Sequence, residues 1–181
     1  MKIRDGAGSG RESKVNAKNR LDVTAASLNQ SALTAVSDGQ TFIWTSSFSA
    51  ATGNEVIYIK NDSKDKLLFI EDVVVSSVNA GLLEIYEVTG TAAGTPITGK
   101  NTNLTSSNVA VATAFGDAAV TGLTLGDRID LARTSANGRV DIKLADILIM
   151  GFNNAIAAQY TGSTGIVDVA ITGFYEIEAD L

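Results

Sequence analysis

The sequence predicts an all-β protein: an antiparallel β-sandwich with jelly-roll-like connections, preceded by an extended N-terminal arm. From Thr41 onward, about eight or more short runs are strand-like, with apolar and polar residues alternating in several of them. Turn-forming residues separate these runs at short spacing, and almost no stretch repeats at helical spacing. The 181 residues are enough for one such domain and an arm.

Residues 1–38 are predicted to form the arm, and residues 39–181 the β-sandwich domain. The stretch "GAGSGRES" is small and polar, a composition typical of flexible chain. Apolar residues over 21–36 are spaced for neither a regular helix nor a regular strand, although a short helix over 25–36 remains an alternative. The basic residues near the start are not followed by an apolar stretch, so no secretory signal is expected.

Charge divides the chain into a basic arm and an acidic body. Residues 1–20 carry a net charge of +4, whereas the remaining residues hold 8 basic and 18 acidic side chains, a net charge of −10. An acidic protein surface, including the body of a neighbouring subunit, suits this arm at least as well as nucleic acid does. Nucleic acid is not the expected partner, because no aromatic residues are interleaved with the charges. We predict that six arm residues contact a partner: Lys2, Arg4, Arg11, Lys14, Lys18 and Arg20.

Three runs predict the first strands of the body: "TFIWTSSFS" (41–49), "EVIYIKN" (55–61) and "KLLFIEDVVVSSV" (66–78). The second run alternates, and the third is rich in β-branched residues, with a bend expected at Glu71–Asp72. We interpret the second and third runs as a hairpin with a charged tip. Such a tip keeps an exposed turn soluble and could set the register with a partner; its charged residues are Asp62, Lys64, Asp65 and Lys66.

Later runs predict the remaining strands: "LLEIYEV" (82–88), the turn and edge segment "GTPITG" (94–99), "NVAVATAF" (108–115), "RIDLARTSANGRVDIKL" (128–144), "DILIMGFN" (146–153) and "GIVDVAITGFYEIEA" (165–179). Asn137-Gly138 lies between alternating runs and predicts a hairpin with a type I′ turn. In the last run, Val167, Val169 and Ile171 are predicted to share one face of the strand.

Thr-Gly pairs recur along the body at irregular spacing, so they do not indicate a repeat architecture. We interpret them as turns between strands, at Thr89-Gly90, Thr98-Gly99, Thr121-Gly122, Thr161-Gly162 and Thr172-Gly173.

The composition excludes most kinds of catalytic and metal site. The chain has no histidine and no cysteine, which removes the main residues of triads, zinc sites, haem sites and disulfide frameworks. Carboxylate pairs remain, and a glycosidase would need two of them placed across a sugar cleft. Because these acids alternate with apolar residues, we interpret them as solvated strand faces; the pairs are Glu71–Asp72, Asp127–Asp130, Asp141–Asp146 and Glu176–Glu178.

Neither a metal nor a cofactor is predicted. "NDSKD" (61–65) offers oxygen ligands but departs from the spacing of calcium loops, and Lys64 and Lys66 disfavour a dication there. "GAGSG" lacks the strand before it and the Gly-Lys-Ser/Thr after it that a phosphate loop requires. No apolar run reaches the length of about 18 residues that a membrane-spanning helix needs.

Three stretches of the chain resemble a group of tailed-bacteriophage virion proteins: "KVNAKNRLDV" (14–23), "EVIYIKNDSKDKLLFIEDVVVS" (55–76), and "EIYEVTGTAAGTPITG" (84–99) followed by "NTNLTSSNVAVATA" (101–114). In that group, an arm is followed by a strand that ends in Lys-Asn, then by a charged turn and a second strand. After these comes a module made of a strand, a Thr-Gly-Thr sequence and a turn. The resemblance extends over most of residues 11–175 and implies a virion structural protein without catalytic residues.

The resemblance implies a capsid cement or decoration protein as the first hypothesis. It would be assembled in the host cytoplasm, would bind the major capsid protein or another virion protein, and would form a homo-oligomer, with a trimer expected. The alternative is a tail or fibre-associated protein that binds a host glycan. An enzyme acting on polysaccharide and a non-viral β-domain are the other classes considered.

Overall fold

The structure, a computed structural model, describes residues 2–4, 12–14, 39–50 and 52–177. The first two strands lie in the arm: β1 Lys2–Arg4 and β2 Glu12–Lys14. The body contains the others: β3 Thr41–Ala50, β4 Asn54–Asn61, β5 Lys66–Ser77, β6 Gly81–Pro96, β7 Lys100–Asn101, β8 Ala112–Thr134, β9 Gly138–Met150, β10 Ala155–Gly162 and β11 Gly165–Ile177. Within these ranges, no helix is long and apolar enough to cross a membrane.

The eight long strands of the body pair as four nested antiparallel pairs, in which the first strand joins the last. The pairs are β3 with β11, β4 with β10, β5 with β9, and β6 with β8. They form a five-stranded sheet, β7-β3-β11-β5-β9, and a ring of four strands, β10-β4-β8-β6. This nesting of Greek-key connections is the jelly-roll arrangement, so the predicted all-β antiparallel sandwich is confirmed.

The main core lies between the five-stranded sheet and the ring, and strand alternation supplies it. On β11, Val167, Val169 and Ile171 are buried as predicted, while Asp168 between them is exposed. The predicted bend in β5 is also confirmed, because the register of β5 slips at Glu71 against both neighbouring strands. Local periodicity therefore predicted these two strands correctly.

A second, smaller core lies inside the ring. β6 and β8 pair as a long ribbon; residues 81–87 of β6 adjoin β10, and residues 112–120 of β8 adjoin β4. The ribbon therefore bends over the two strands that it flanks. The enclosed cluster consists of Tyr58, Val88, Val120, Ala155 and Ala157.

The bend in the ribbon depends on two glycines that face each other across it. Gly90 and Gly122 have φ of +109° and +78°, and a Cβ on either would collide with a backbone carbonyl of the opposite strand. The interpretation of Thr89-Gly90 and Thr121-Gly122 as turns between strands is wrong, and so is that of Thr172-Gly173, which lies within β11. β6 and β8 pair on both sides of Gly90 and Gly122, so the left-handed backbone of these glycines bends the strands without ending them.

The hairpin expected between β4 and β5 is also wrong. β4 pairs with β8 and β10 in the ring, whereas β5 pairs with β9 and β11 in the five-stranded sheet. Residues 61–66 are therefore a corner at which the chain passes from one sheet to the other. Both strands are largely buried, so their apolar pattern does not reveal which strand each one pairs with.

The predicted hairpin at Asn137-Gly138 connects β8 to β9, but its turn is not type I′. Gly138 N donates to Ser135 O at 2.9 Å, so Ala136 and Asn137 are the central residues. Of these two, only Asn137 has a positive φ, +53°. A type I′ turn needs a positive φ at both central positions, and Ala136 does not supply one.

Candidate interaction surface at the arm root

The body begins at Gly39, and this residue is held firmly where the arm joins it. Its φ is +60°, and its carbonyl accepts hydrogen bonds from Asn101 Nδ2 at 2.7 Å and Asn108 Nδ2 at 3.3 Å. A Cβ at position 39 would lie 2.6 Å from Ser106 Cβ and closer still to its Oγ. Only glycine fits this backbone and this contact, so the position of Gly39 at the start of the body is fixed.

The loop that holds Gly39 is ordered by its own small polar side chains. Asn103 N donates to Asn101 Oδ1 at 2.9 Å, Thr105 N to Asn103 Oδ1 at 3.1 Å, and Asn108 N to Ser106 Oγ at 3.2 Å. These are Asx and Ser/Thr turns, in which a side chain replaces a backbone acceptor. The run "NTNLTSSN", which reads as a biased surface stretch in sequence, folds into a defined loop for this reason.

The same loop presents large apolar side chains to solvent. Leu104 is 93% exposed, Val109 is 74% exposed and Val111 is 45% exposed. Single exposed apolar residues are ordinary, but three on one ordered loop beside a fixed arm root are typical of a contact surface. Sequence analysis missed these residues, although a leucine within a polar run was an available signal.

The corner at residues 61–66 adjoins this loop and is organised around Asn61, which is fully buried. Asn61 Nδ2 donates to Met150 O at 2.8 Å and to Lys66 O at 2.9 Å, while its Oδ1 accepts from Ser63 N at 2.9 Å. Asp62 N donates to Val111 O at 3.1 Å, which ties the corner to the loop. One amide side chain thus provides most of the hydrogen bonds that shape the corner.

Charged residues of the corner bind within the body. Asp62 pairs with Lys60 at 2.8 Å and accepts from Thr113 Oγ1 at 2.5 Å. Partial burial opposes ionisation of Asp62, but these bonds outweigh it and lower its pKa. Lys66 Nζ donates to Gln40 Oε1 at 3.1 Å, and Lys64 Nζ lies 5.6 Å from the centre of the Phe152 ring. Of the four predicted tip charges, Lys66 therefore links the corner to the arm root, whereas Asp62 and Lys64 fasten the corner to other parts of the body.

We call this region the arm-root surface: Gly39, Gln40, the corner at residues 61–66 and the loop at residues 102–111. Of the six predicted arm contacts, Lys2, Arg4 and Lys14 lie on the paired strands β1 and β2, with Lys2 opposite Lys14 and Arg4 opposite Glu12. The other three, Arg11, Lys18 and Arg20, lie outside the described residues, as does the alternative helix over 25–36.

The carboxylates considered for catalysis are dispersed over the strands. Asp141, which pairs with Arg139 at 3.0 Å, is exposed, as predicted for a solvated strand face. Asp72 departs from that prediction, because its side chain is 16% exposed and pairs with Lys143 at 2.9 Å. Glu178 lies outside the described residues. Over the part of the chain that the structure describes, no three acidic residues are grouped so that they could hold a metal ion.

Comparison with known proteins adds no relative: no family model, no curated protein and no solved structure matches this chain.

Proposed function

We propose that this protein is a non-enzymatic virion structural protein, a cement or decoration protein that stabilises a phage head through its N-terminal arm and its subunit contacts. The observation that carries the proposal is the arm-root surface, where an anchored arm exit adjoins an ordered loop with exposed Leu104 and Val109. The resemblance of the sequence to tailed-phage virion proteins supports the same class. A homo-oligomer, with three copies expected, bound to the major capsid protein is the form we propose.

The two parts of this surface would contribute to binding in different ways. An extended arm buries much surface per residue, but ordering it costs conformational entropy. The loop is already ordered, so Leu104 would enter a partner's surface at little further entropic cost. Full burial of a leucine side chain contributes about 1.5–3 kcal/mol, which corresponds to roughly 10- to 100-fold in affinity.

The test is quantitative mass spectrometry of purified native particles, which gives the copy number of this chain relative to the major shell protein. A copy number comparable to that of the shell protein is expected, and deletion of residues 1–20 should lower it. Leu104→Ser should weaken binding to the particle about tenfold or more and so lower the copy number at limiting protein concentration. The matched control is Ile166→Ser, because Ile166 is 53% exposed and pairs with Ser49 at the far end of β3. Absence of the chain from particles, or equal losses for both serine variants, would overturn the proposal.

A second candidate function, glycan binding by a tail or fibre-associated protein, is favoured by one feature of the five-stranded sheet. Its outer face holds a trough of about 460 Å³. Asp168 and Arg139 both line it, and Asp168 accepts hydrogen bonds from Ser47 Oγ and Ser76 Oγ. The trough lacks an aromatic ring in its lining, so a sugar would be held by hydrogen bonds.

A glycan-binding screen tests this second function. Specific binding that is lost in Asp168→Ala and retained in the exposed control Asp65→Ala would establish it. If the protein binds no glycan, or if both variants bind as the unchanged protein does, the trough is not a glycan site.

A further inference from the structure

A groove of about 340 Å³ lies beside the ends of β9 and β10, next to the ribbon. Ile129, Leu148 and Ile149 provide part of its apolar lining, and Ile149 is 48% exposed. Its charged residues, Glu87 and Asp127, are both acidic, and its lining includes no basic residue. Within the described residues, neither acid forms an ion pair. The groove therefore presents an apolar surface with two unneutralised negative charges.

Two strand edges border this groove. β9 pairs with β5 on one side only, and residues 121–134 of β8 pair only with β6, as far as the structure describes the chain. An unpaired edge offers a row of backbone donors and acceptors that an extended segment can join. The groove thus combines apolar surface, acidic charge and free backbone hydrogen-bonding groups.

One segment of the arm has the complementary pattern in its sequence. In "VNAKNRLDV" (15–23), the odd positions hold four apolar residues and Asn19, whereas Lys18 and Arg20 fall on even positions together with Asn16 and Asp22. In an extended strand, this alternation puts the apolar residues on one face and both basic residues on the other. Such a strand would match a groove whose lining combines apolar residues with two acids.

We propose that residues 15–23 of a neighbouring copy bind in this groove and add a strand to the free edge of β9. The proposal deepens the proposed function and rests on it, because it identifies a contact by which copies would assemble. Gly39 and the groove lie at the same end of the five-stranded sheet, three strands apart. Gln40, next to Gly39, accepts from Tyr175 N on β11, and the row continues through Leu68 on β5 to Met150 of the groove. Exchange of arms would then link each copy head-to-tail to the next, an arrangement that closes into a ring such as a trimer.

The connecting chain is long enough for this exchange. Residues 24–38 separate the segment from Gly39, and 15 extended residues span at most ~50 Å. Charge complementarity favours the same pairing, because residues 1–20 carry +4 and the rest of the chain −10.

Site-specific cross-linking tests the proposal directly, because the full chain contains no cysteine. Purified Leu21→Cys protein is mixed with differently tagged Ile149→Cys protein and treated with a short bismaleimide. A covalent heterodimer is expected, and the control Leu104→Cys, whose side chain is 93% exposed, should give far less of it with the same partner. A double variant, Leu21→Cys with Ile149→Cys, reports on binding within one copy. A link found only within one copy, or no link above the control, would overturn the proposal.

Charge reversal supplies a second measurement that does not depend on cysteine placement. The double variant Glu87→Lys with Asp127→Lys changes the groove and leaves the arm unchanged. Its copies should no longer associate with each other in sedimentation velocity. Association should return when the mixed partner carries Lys18→Glu with Arg20→Glu. Failure of this rescue with folded proteins would refute the docking of the arm in the groove. Both measurements use purified protein without particles, so the role on the particle can fail by absence from virions while arm exchange still holds.

Discussion

Replacing Gly39 with alanine tests whether the arm exit is anchored. Gly53 provides a matched control, because it also has a positive φ, +77°, but a Cβ there would meet nothing within 4 Å. In both variants, alanine in the left-handed region costs about 1 kcal/mol. Any additional loss at position 39 therefore reports the contact with Ser106 and the hydrogen bonds to the Gly39 carbonyl.

The additional loss can be worked out from the geometry around Gly39. A new Cβ would lie 2.6 Å from Ser106 Cβ, so the loop would have to move away from Gly39. Movement of the loop would weaken the hydrogen bonds that Asn101 and Asn108 donate, each contributing about 0.5–1.5 kcal/mol. We expect Gly39→Ala to lower the free energy of unfolding by about 2–4 kcal/mol, compared with about 1 kcal/mol for Gly53→Ala.

Urea unfolding followed by tryptophan fluorescence measures both values, since the single tryptophan, Trp44, is fully buried. A double-mutant cycle isolates the contact: in a Ser106→Gly background, the cost of Gly39→Ala should fall toward that of Gly53→Ala. Equal costs for Gly39→Ala and Gly53→Ala would refute the anchored exit. A cycle without coupling between positions 39 and 106 would do the same.

Three further predictions concern the corner, the ribbon and the alkaline limit of stability. Asn61→Ala leaves two carbonyls and one N–H without their partner and should lower the free energy of unfolding by about 3 kcal/mol. The control Asn54→Ala loses one hydrogen bond and should cost about 1 kcal/mol. Similar costs for the two variants in urea unfolding would contradict the role of Asn61 in the corner. Gly122→Ala combines left-handed strain with a collision against a carbonyl of the facing strand. In the same assay it should lower the free energy of unfolding by more than the ~1 kcal/mol expected at an unobstructed left-handed glycine, and an equal loss would argue against the bend. Burial, and to a lesser extent the charge of Asp62, raises the pKa of Tyr175 above its ordinary value of 10.0. Because Tyr175 therefore loses its proton first in the unfolded state, the free energy of unfolding should decline as pH rises above about 10. Tyr175→Phe should reduce that decline, and an unchanged dependence on pH would show that Tyr175 does not cause it.

The sequence revealed only part of the candidate surface. The basic character of the arm is a matter of composition, and it motivated the hypothesis that the arm contacts a partner. The anchoring of Gly39 depends on Asn101 and Asn108, more than 60 positions away along the chain. Contacts over such distances leave no periodic signal, so neither the arm-root surface nor the groove beside β9 could be predicted.

Alternation of apolar and polar residues was enough to predict the fold class and the faces of its strands, because it records which side chains leave water. The inward faces of β11 and the bend at Glu71 follow from that local rule. The placement of β4 and β5 in different sheets emerges only when the chain is folded, and so does the role of Gly90 and Gly122, which bend strands without ending them. Burial is a property of each residue, whereas pairing depends on two distant segments meeting, and the apolar pattern of one segment does not specify the other.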